Sequence, residues 1–287
     1  MRNPFFTVLQ GLYRAIGGHG LGRIPVLRWL YDNLFGLLKP KSVTVMDHKM
    51  WLDDRDTLEL GTHGIYEPTE TELLQRELKS GETFVDIGAN IGYYTLIAAR
   101  IVGPKGRVFA FEPDPTNFAL LQRNVQENGY TNVTLINKAM SNKAQTLKLY
   151  LSKTNRGDHR VYDSKDGRPS VSIQAVSLDG FFKKLDRKVH FIKMDIQGAE
   201  ARALDGMKGL LHANRSLKLV TEFSPGSLRL CGSDPQKYLK TLEKLGFKLS
   251  EISEENKSVR PLRFLALMDR LANDSNRYTN LYCVKGK

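Results

Sequence analysis

The chain has 287 residues, 41% hydrophobic and 26% charged, enough for one substantial buried core with an appendage. Its 43 Lys and Arg against 31 Asp and Glu give a formal charge of +12, but the basic residues are scattered rather than gathered into an arm or groove, which argues against a nucleic-acid binder. Two cysteines, Cys231 and Cys283, cannot make a disulfide framework, and neither a long uncharged apolar run nor a secretory cleavage site stands out, so a cytoplasmic protein is expected.

Residues 1–41 carry Arg2, Arg14, Arg23, Arg28, Lys39 and Lys41 against the single acid Asp32, with apolar residues at helix spacing between them. The break "GGHG" at Gly17 to Gly20 divides this basic extension into two short amphipathic pieces. Such pieces suit packing on the body of the protein, a second subunit of a homo-oligomer, or peripheral contact with the anionic inner surface of a membrane, and packing on the protein is the preferred reading. Residues 42–80 read as a lead-in: extended segments "SVTVMD" and "KMWLDD", then a helix "TETELLQRELKS" with Thr69 as N-cap, Glu72 completing a capping box, and Leu73, Leu74 and Leu78 as the apolar stripe.

Residues 81–287 form the main domain, in which strand and helix patterns alternate. "TFVDIG" is a buried strand and "YYTLIAARIV" a helix ended by Gly103 and Pro104; "RVFAFE" is the next strand, followed by a helix capped by Asp114 with Pro115 in its first turn. "NVTLIN", "VHFIKMD" and "LKLVTEF" are further strands, and the terminal stretch predicts a helical excursion before a last strand. The pattern predicts an α/β, doubly wound, Rossmann-like and mostly parallel sheet.

In "FVDIGANIGYYT" a strand passes through D-x-G-x-N-x-G (Asp86, Gly88, Asn90, Gly92) into a helix, the turn where doubly wound sheets bind nucleotide-like ligands. Glycine here lets the backbone approach a ligand closely. An acid just before the turn is unsuited to a phosphate and suits a cation, and Glu112, at the carboxyl end of the next strand, stands where an acid accepts hydrogen bonds from ribose hydroxyls. S-adenosylmethionine meets both demands.

With these residues in view, "GIYEPTETELLQRELKSGETFVDIGANIGYYT", "FEPDP", "SLDGFF", "IKMDIQGAEARALDGM" and "TEFSPGSLRLCGSDPQKYLKTLEKLGF" together resemble the FkbM-type methyltransferases over roughly Gly64 to Ile252. The resemblance implies a seven-stranded methyltransferase sheet and transfer of a methyl group to a hydroxyl of a sugar, glycan or polyketide-like small molecule. It assigns Asp86, Gly88, Asn90 and Gly92 to the methionine end of the cofactor, Glu112 to its ribose, Asn137 and Ala139 to its adenine, and Asp195 to the reaction centre. Where that family commonly has Glu, this chain has Gln197.

Two schemes fit removal of the acceptor's proton. In one, His159, within the polar stretch from Ser152 to Ser170 expected to cover the acceptor, is the general base. In the other, Asp195 and Glu222, at the ends of neighbouring strands, hold a divalent cation such as Mg that lowers the pKa of the acceptor oxygen. Lys193 and Glu200 read as a structural pair. The alternatives are an RNA methyltransferase, favoured by charge alone, and a non-catalytic S-adenosylmethionine-binding scaffold at a membrane surface.

Overall fold

The computed structural model describes Val8 and residues 38–183, 185, 187–272 and 277–286. The basic extension predicted over 1–41 lies outside them, apart from Val8 and 38–41.

A hairpin of β1 (Ser42–Val45) and β2 (His48–Trp51) leads into helix α1 (Pro68–Glu77). The main domain follows as β3 (Thr83–Ile87), α2 (Tyr93–Val102), β4 (Arg107–Phe111), α3 (Pro115–Glu127) and β5 (Val133–Ile136). Next, β6 (Ala139–Met140), β7 (Gln145–Tyr150) and β8 (Ser170–Val176) pair among themselves as a small separate sheet. The chain then returns through α4 (Leu178–Phe182), β9 (Phe191–Met194), α5 (Glu200–Asp205), α6 (Lys208–Ala213), β10 (Leu217–Phe223), α7 (Pro225–Leu230) and α8 (Pro235–Lys244). It closes with β11 (Phe247–Ser253), β12 (Ser258–Pro261), α9 (Phe264–Ala272) and β13 (Thr279–Lys285).

The large sheet has eight strands in the order β12-β11-β13-β10-β9-β3-β4-β5, not the expected seven. The extra one is β12, which folds back antiparallel on β11 at the edge. From β10 to β5 every pairing is parallel, as the alternating pattern predicts. β13, after the helical excursion, inserts antiparallel between β10 and β11.

All five residues of β3 are buried, the polar Thr83 and Asp86 included, so the strand is enclosed on both faces rather than alternating buried and exposed. Val85 and Ile87 pack into a core with Phe109, Ile192 and Leu204 on one face, while Phe84 packs with Leu73, Leu96 and Phe191 on the other. Phe84 is fully buried, and its truncation to Ala would cost about 3–5 kcal/mol.

The helix starts show a local rule holding in one place and yielding in another. Asp114 accepts from the Asn117 amide at 2.8 Å, with Pro115 in the first turn, as expected. Helix α1 departs from the Thr69 and Glu72 capping box: it begins at Pro68 behind Glu67, whose φ is 42°. Its first-turn N–H groups, at Thr69 and Glu70, donate to the two carboxylate oxygens of Glu254 at 2.9 and 3.0 Å. A carboxylate from the β11–β12 turn replaces the local cap and satisfies the same donors.

The topology fixes where a ligand can bind. From β3 the chain runs outward to β4 and β5, then crosses back to β9 on the other side of β3. The connections diverge at the carboxyl ends of β3 and β9 and leave a crevice there. No helix among the described residues is long and apolar enough to cross a membrane.

Candidate active site

A cavity of about 340 Å³ opens at this crevice, within the usual range for small-molecule sites. Asp86, Gly88, Asn90, Glu112, Ala139, His159, Asp195 and Glu222 all stand on its wall. Gly92 and Asn137 do not.

The glycine turn is held by packing as much as by any ligand. Gly88 has φ +86°, and a Cβ there would lie 2.0 Å from the carbonyl oxygen of Asp195. The space that Gly88 leaves is thus taken by the tip of β9. Gly92, φ +96°, faces the Leu121 side chain in the same way, 2.7 Å from where its Cβ would sit. Asn137 donates through Nδ2 to the Glu112 carbonyl oxygen at 2.8 Å, so it braces the loop after β4 from behind.

Two acids occupy the β3 and β4 tips. Asp86 is buried and accepts from the Thr95 hydroxyl at 2.6 Å; burial pushes its carboxyl up to about 6, opposed by Thr95 and Lys193. Glu112 accepts from the backbone N–H groups of Asn90 at 2.8 Å and Asp114 at 2.9 Å, one on each oxygen. Burial outweighs these donors and raises Glu112 to about 8. Both carboxylates are locked in place while facing the cavity.

On the far side, Asp195 and Glu222 are brought together as expected. They are bridged by Gln197, whose Nε2 donates to Asp195 Oδ1 at 2.8 Å and to Glu222 Oε2 at 3.1 Å. Burial raises Glu222 well above the usual carboxylate range, with Asp195 and Glu200 adding to the effect. The amide supplies donors where two adjacent acids would otherwise repel. Among the described residues no group of three or more His, Cys, Asp or Glu side chains is placed to hold a metal ion. The divalent-cation scheme therefore finds no ligand set here.

His159 belongs to another neighbourhood. Its Nδ1 accepts from the Ser152 N–H at 3.0 Å, and its Nε2 lies 4.0 Å from Asp114 Oδ2. Burial lowers its pKa, and Nδ1, engaged as an acceptor by the backbone, is not free to take a proton from an acceptor hydroxyl. This geometry does not suit the general-base role. The polar stretch that carries His159 roofs the Glu112 side of the cavity: Asn117 Nδ2 donates to the Arg156 carbonyl at 3.1 Å, and Arg156 Nε donates to Asp54 Oδ1 at 2.7 Å.

Lys193 does not pair with Glu200. Its Nζ lies 3.2 Å from Glu70 Oε1 and 3.7 Å from Asp195 Oδ2. Burial alone would lower its pKa, but the surrounding acids outweigh this and raise it. Glu200 instead accepts from the backbone N–H groups of Ile196 at 3.0 Å and Gly198 at 3.2 Å, bracing the turn that carries Gln197.

Sequence reasoning assigned no role to Glu67, Tyr94 or Tyr278, which also line the cavity. Glu67 accepts from the Tyr94 hydroxyl at 2.9 Å and from Asn280 Nδ2 at 3.0 Å, and burial raises its pKa. The sequence shows only an acid before proline in "IYEPTE"; the left-handed backbone of Glu67, uncommon for a non-glycine residue, is visible in the structure alone.

The family model described as "Methyltransferase FkbM domain" matches residues 86–249. The hexuronic acid methyltransferase AglP of Haloferax volcanii is 29% identical over 143 residues, 49% of this chain and 56% of its own length. Methyltransferase sdnD of Sordaria araneosa is 27% identical over 161 residues, 45% of this chain and 62% of its own. The chain thus spans little more than half the length of these relatives. A solved FkbM methyltransferase from Methylobacillus flagellatus KT superposes with a TM-score of 0.43 at 19% identity, covering 70% of this chain and 43% of that one.

Proposed function

As this chain belongs to the FkbM methyltransferase family, we propose that it transfers a methyl group from S-adenosylmethionine to a hydroxyl of a sugar, glycan or polyketide-like small molecule. The observation that carries the reading is the pair of anchored acids, Asp86 and Glu112, facing one cavity at the topological switch point. The residues present fit the cofactor. Asp86 suits its ammonium group, and Glu112, held by the Asn90 and Asp114 amides, keeps lone pairs for ribose hydroxyls.

Bound S-adenosylmethionine would supply an activated methyl group on a sulfonium. The protein's part is to align an acceptor hydroxyl and take its proton. Asp195 and Glu222 fill that role together, one carboxylate orienting the hydroxyl and the pair receiving its proton, while Gln197 holds them at fixed separation. His159 serves as a structural residue of the roof. The relative whose name specifies a hexuronic acid supports a sugar acceptor.

Calorimetry with S-adenosylhomocysteine tests the cofactor site: micromolar binding is expected, and no binding would overturn the reading. An acceptor screen that follows S-adenosylhomocysteine release then compares Asp195→Asn with His159→Gln. The first variant should lose turnover and the second keep it. The opposite result would return the base role to His159.

A further inference from the structure

Lys193 lines the cavity and is in direct contact with two acids, of which Asp195 stands on the cavity wall and Glu70 lies behind it. Its Nζ reaches Glu70 at 3.2 Å and Asp195 at 3.7 Å and stands 4.5 Å from the centroid of the Tyr94 ring. Strand register sets it beside Asp86. The Lys193 side chain is 8% exposed and that of Glu70 2%, so water screens these charges little. Glu70 also accepts from Asn280 Nδ2 at 2.6 Å, which fixes the inner end of the chain. Asp195, at the outer end, faces the cavity.

The cofactor and product of the proposed reaction share nearly the same shape and differ by one charge, a sulfonium against a neutral thioether. The local field at that end of the cavity therefore registers directly as a preference between them. We propose that Lys193 is a positioning residue that holds Asp195 in place and, by offsetting its charge, sets the preference of the site between the sulfonium-bearing cofactor and its thioether product. This rests on the methyltransferase reading of the cavity. The ammonium moderates the attraction for the cation so that the site does not favour it without limit. Glu70 in turn moderates the ammonium, which gives the chain a definite sign at each link.

The test is calorimetry on the full chain with two probes: S-adenosylhomocysteine, and sinefungin, whose amine places a cation where the sulfonium would lie. Glu70→Gln leaves Lys193 with excess positive charge, and the preference for sinefungin over S-adenosylhomocysteine should fall severalfold. Lys193→Met alone would strand Glu70 as a buried unpaired charge, so the informative partner is the double variant Lys193→Met with Glu70→Gln. That variant removes the pair, leaves Asp195 uncompensated, and should raise the preference by a factor on the order of ten. Shifts of opposite sign are the signature, because a merely structural role would move both affinities together. An unchanged ratio, or shifts in the same direction, would overturn the proposal. Should the double variant fail to fold, the Glu70→Gln ratio decides alone. Failure of the wild-type protein to bind either probe would instead remove the methyltransferase reading, and this inference with it.

Discussion

The side-chain amide of Gln197 donates to Asp195 Oδ1 at 2.8 Å, and the same nitrogen reaches Glu222 Oε2 at 3.1 Å. Two carboxyls aimed into one cavity are thereby tied together by a neutral donor, from a residue whose φ of 53° is itself set by the turn after β9. Asp195→Asn keeps the shape of the side chain and removes its charge. Turnover on an identified acceptor should fall by about 10²–10⁴, the range of a lost general base, while affinity for S-adenosylhomocysteine, which lacks the sulfonium charge, stays close to that of wild type. Parallel single-turnover and calorimetric measurements check this. Wild-type turnover in the variant would remove the pair from the mechanism.

Glu112 gives a prediction with a definite pH sign. Burial raises its carboxyl to about 8, against the opposing pull of the Asp114 and Asn90 N–H groups. An acid whose folded-state value lies above its unfolded one binds its proton more tightly when folded, so the free protein loses stability as pH rises from about 4.5 towards 8. Ribose hydroxyls donate to the ionised form and so favour it. Affinity for S-adenosylhomocysteine should accordingly rise between pH 6 and 8 with release of a proton, seen as a buffer-dependent calorimetric enthalpy. Glu112→Gln should flatten that dependence and weaken binding by about 1.5–3 kcal/mol, the value of hydrogen bonds to a charged group. A pH-independent affinity in the wild type would contradict the assignment.

At Gly88 the positive φ and the Asp195 carbonyl 2.0 Å from a would-be Cβ act together. Gly88→Ala should cost about 2–4 kcal/mol, because the methyl group must push the tips of β3 and β9 apart in a backbone conformation it already disfavours. A fall in melting temperature accompanied by loss of S-adenosylhomocysteine binding is the expected result. A stable variant that merely failed to bind would mean that the turn is reserved for ligand rather than for the strand contact.

Much of this arrangement was legible because it rests on local chemistry. The β3 turn, the Asp114 cap and the strand-tip positions of Glu112, Asp195 and Glu222 follow from residue type and spacing. What escaped the sequence involves partners far apart in the chain. Glu254 caps a helix that begins at Pro68, Lys193 pairs with Glu70 rather than the nearby Glu200, and Asn280 from the last strand reaches both Glu67 and Glu70. None of these has a spacing rule, since the topology alone brings them together. Gln197 and His159 fall between the two cases. Their positions were noticed, but whether each faced an acid, a backbone donor or an acceptor depended on which way the turn directed the side chain.

Glu254 offers the most direct test of how the edge of the sheet supports the site. Its two oxygens accept from the Thr69 and Glu70 amides, and the Glu70 carboxylate in turn meets Lys193. Glu254→Ala should cost about 1 kcal/mol, as loss of an N-cap does, because the orphaned donors stand in a partly buried first turn. The effect should not end with stability. Loosening the first turn of α1 shifts Glu70 relative to Lys193, so S-adenosylhomocysteine affinity should fall modestly even though Glu254 itself is absent from the cavity wall. Glu254→Gln, which retains only one good acceptor for the two amides, should lie between wild type and the alanine variant in both measurements. A stability loss in Glu254→Ala with wholly unchanged ligand affinity would show that the cap holds the helix but not the ion pair behind it.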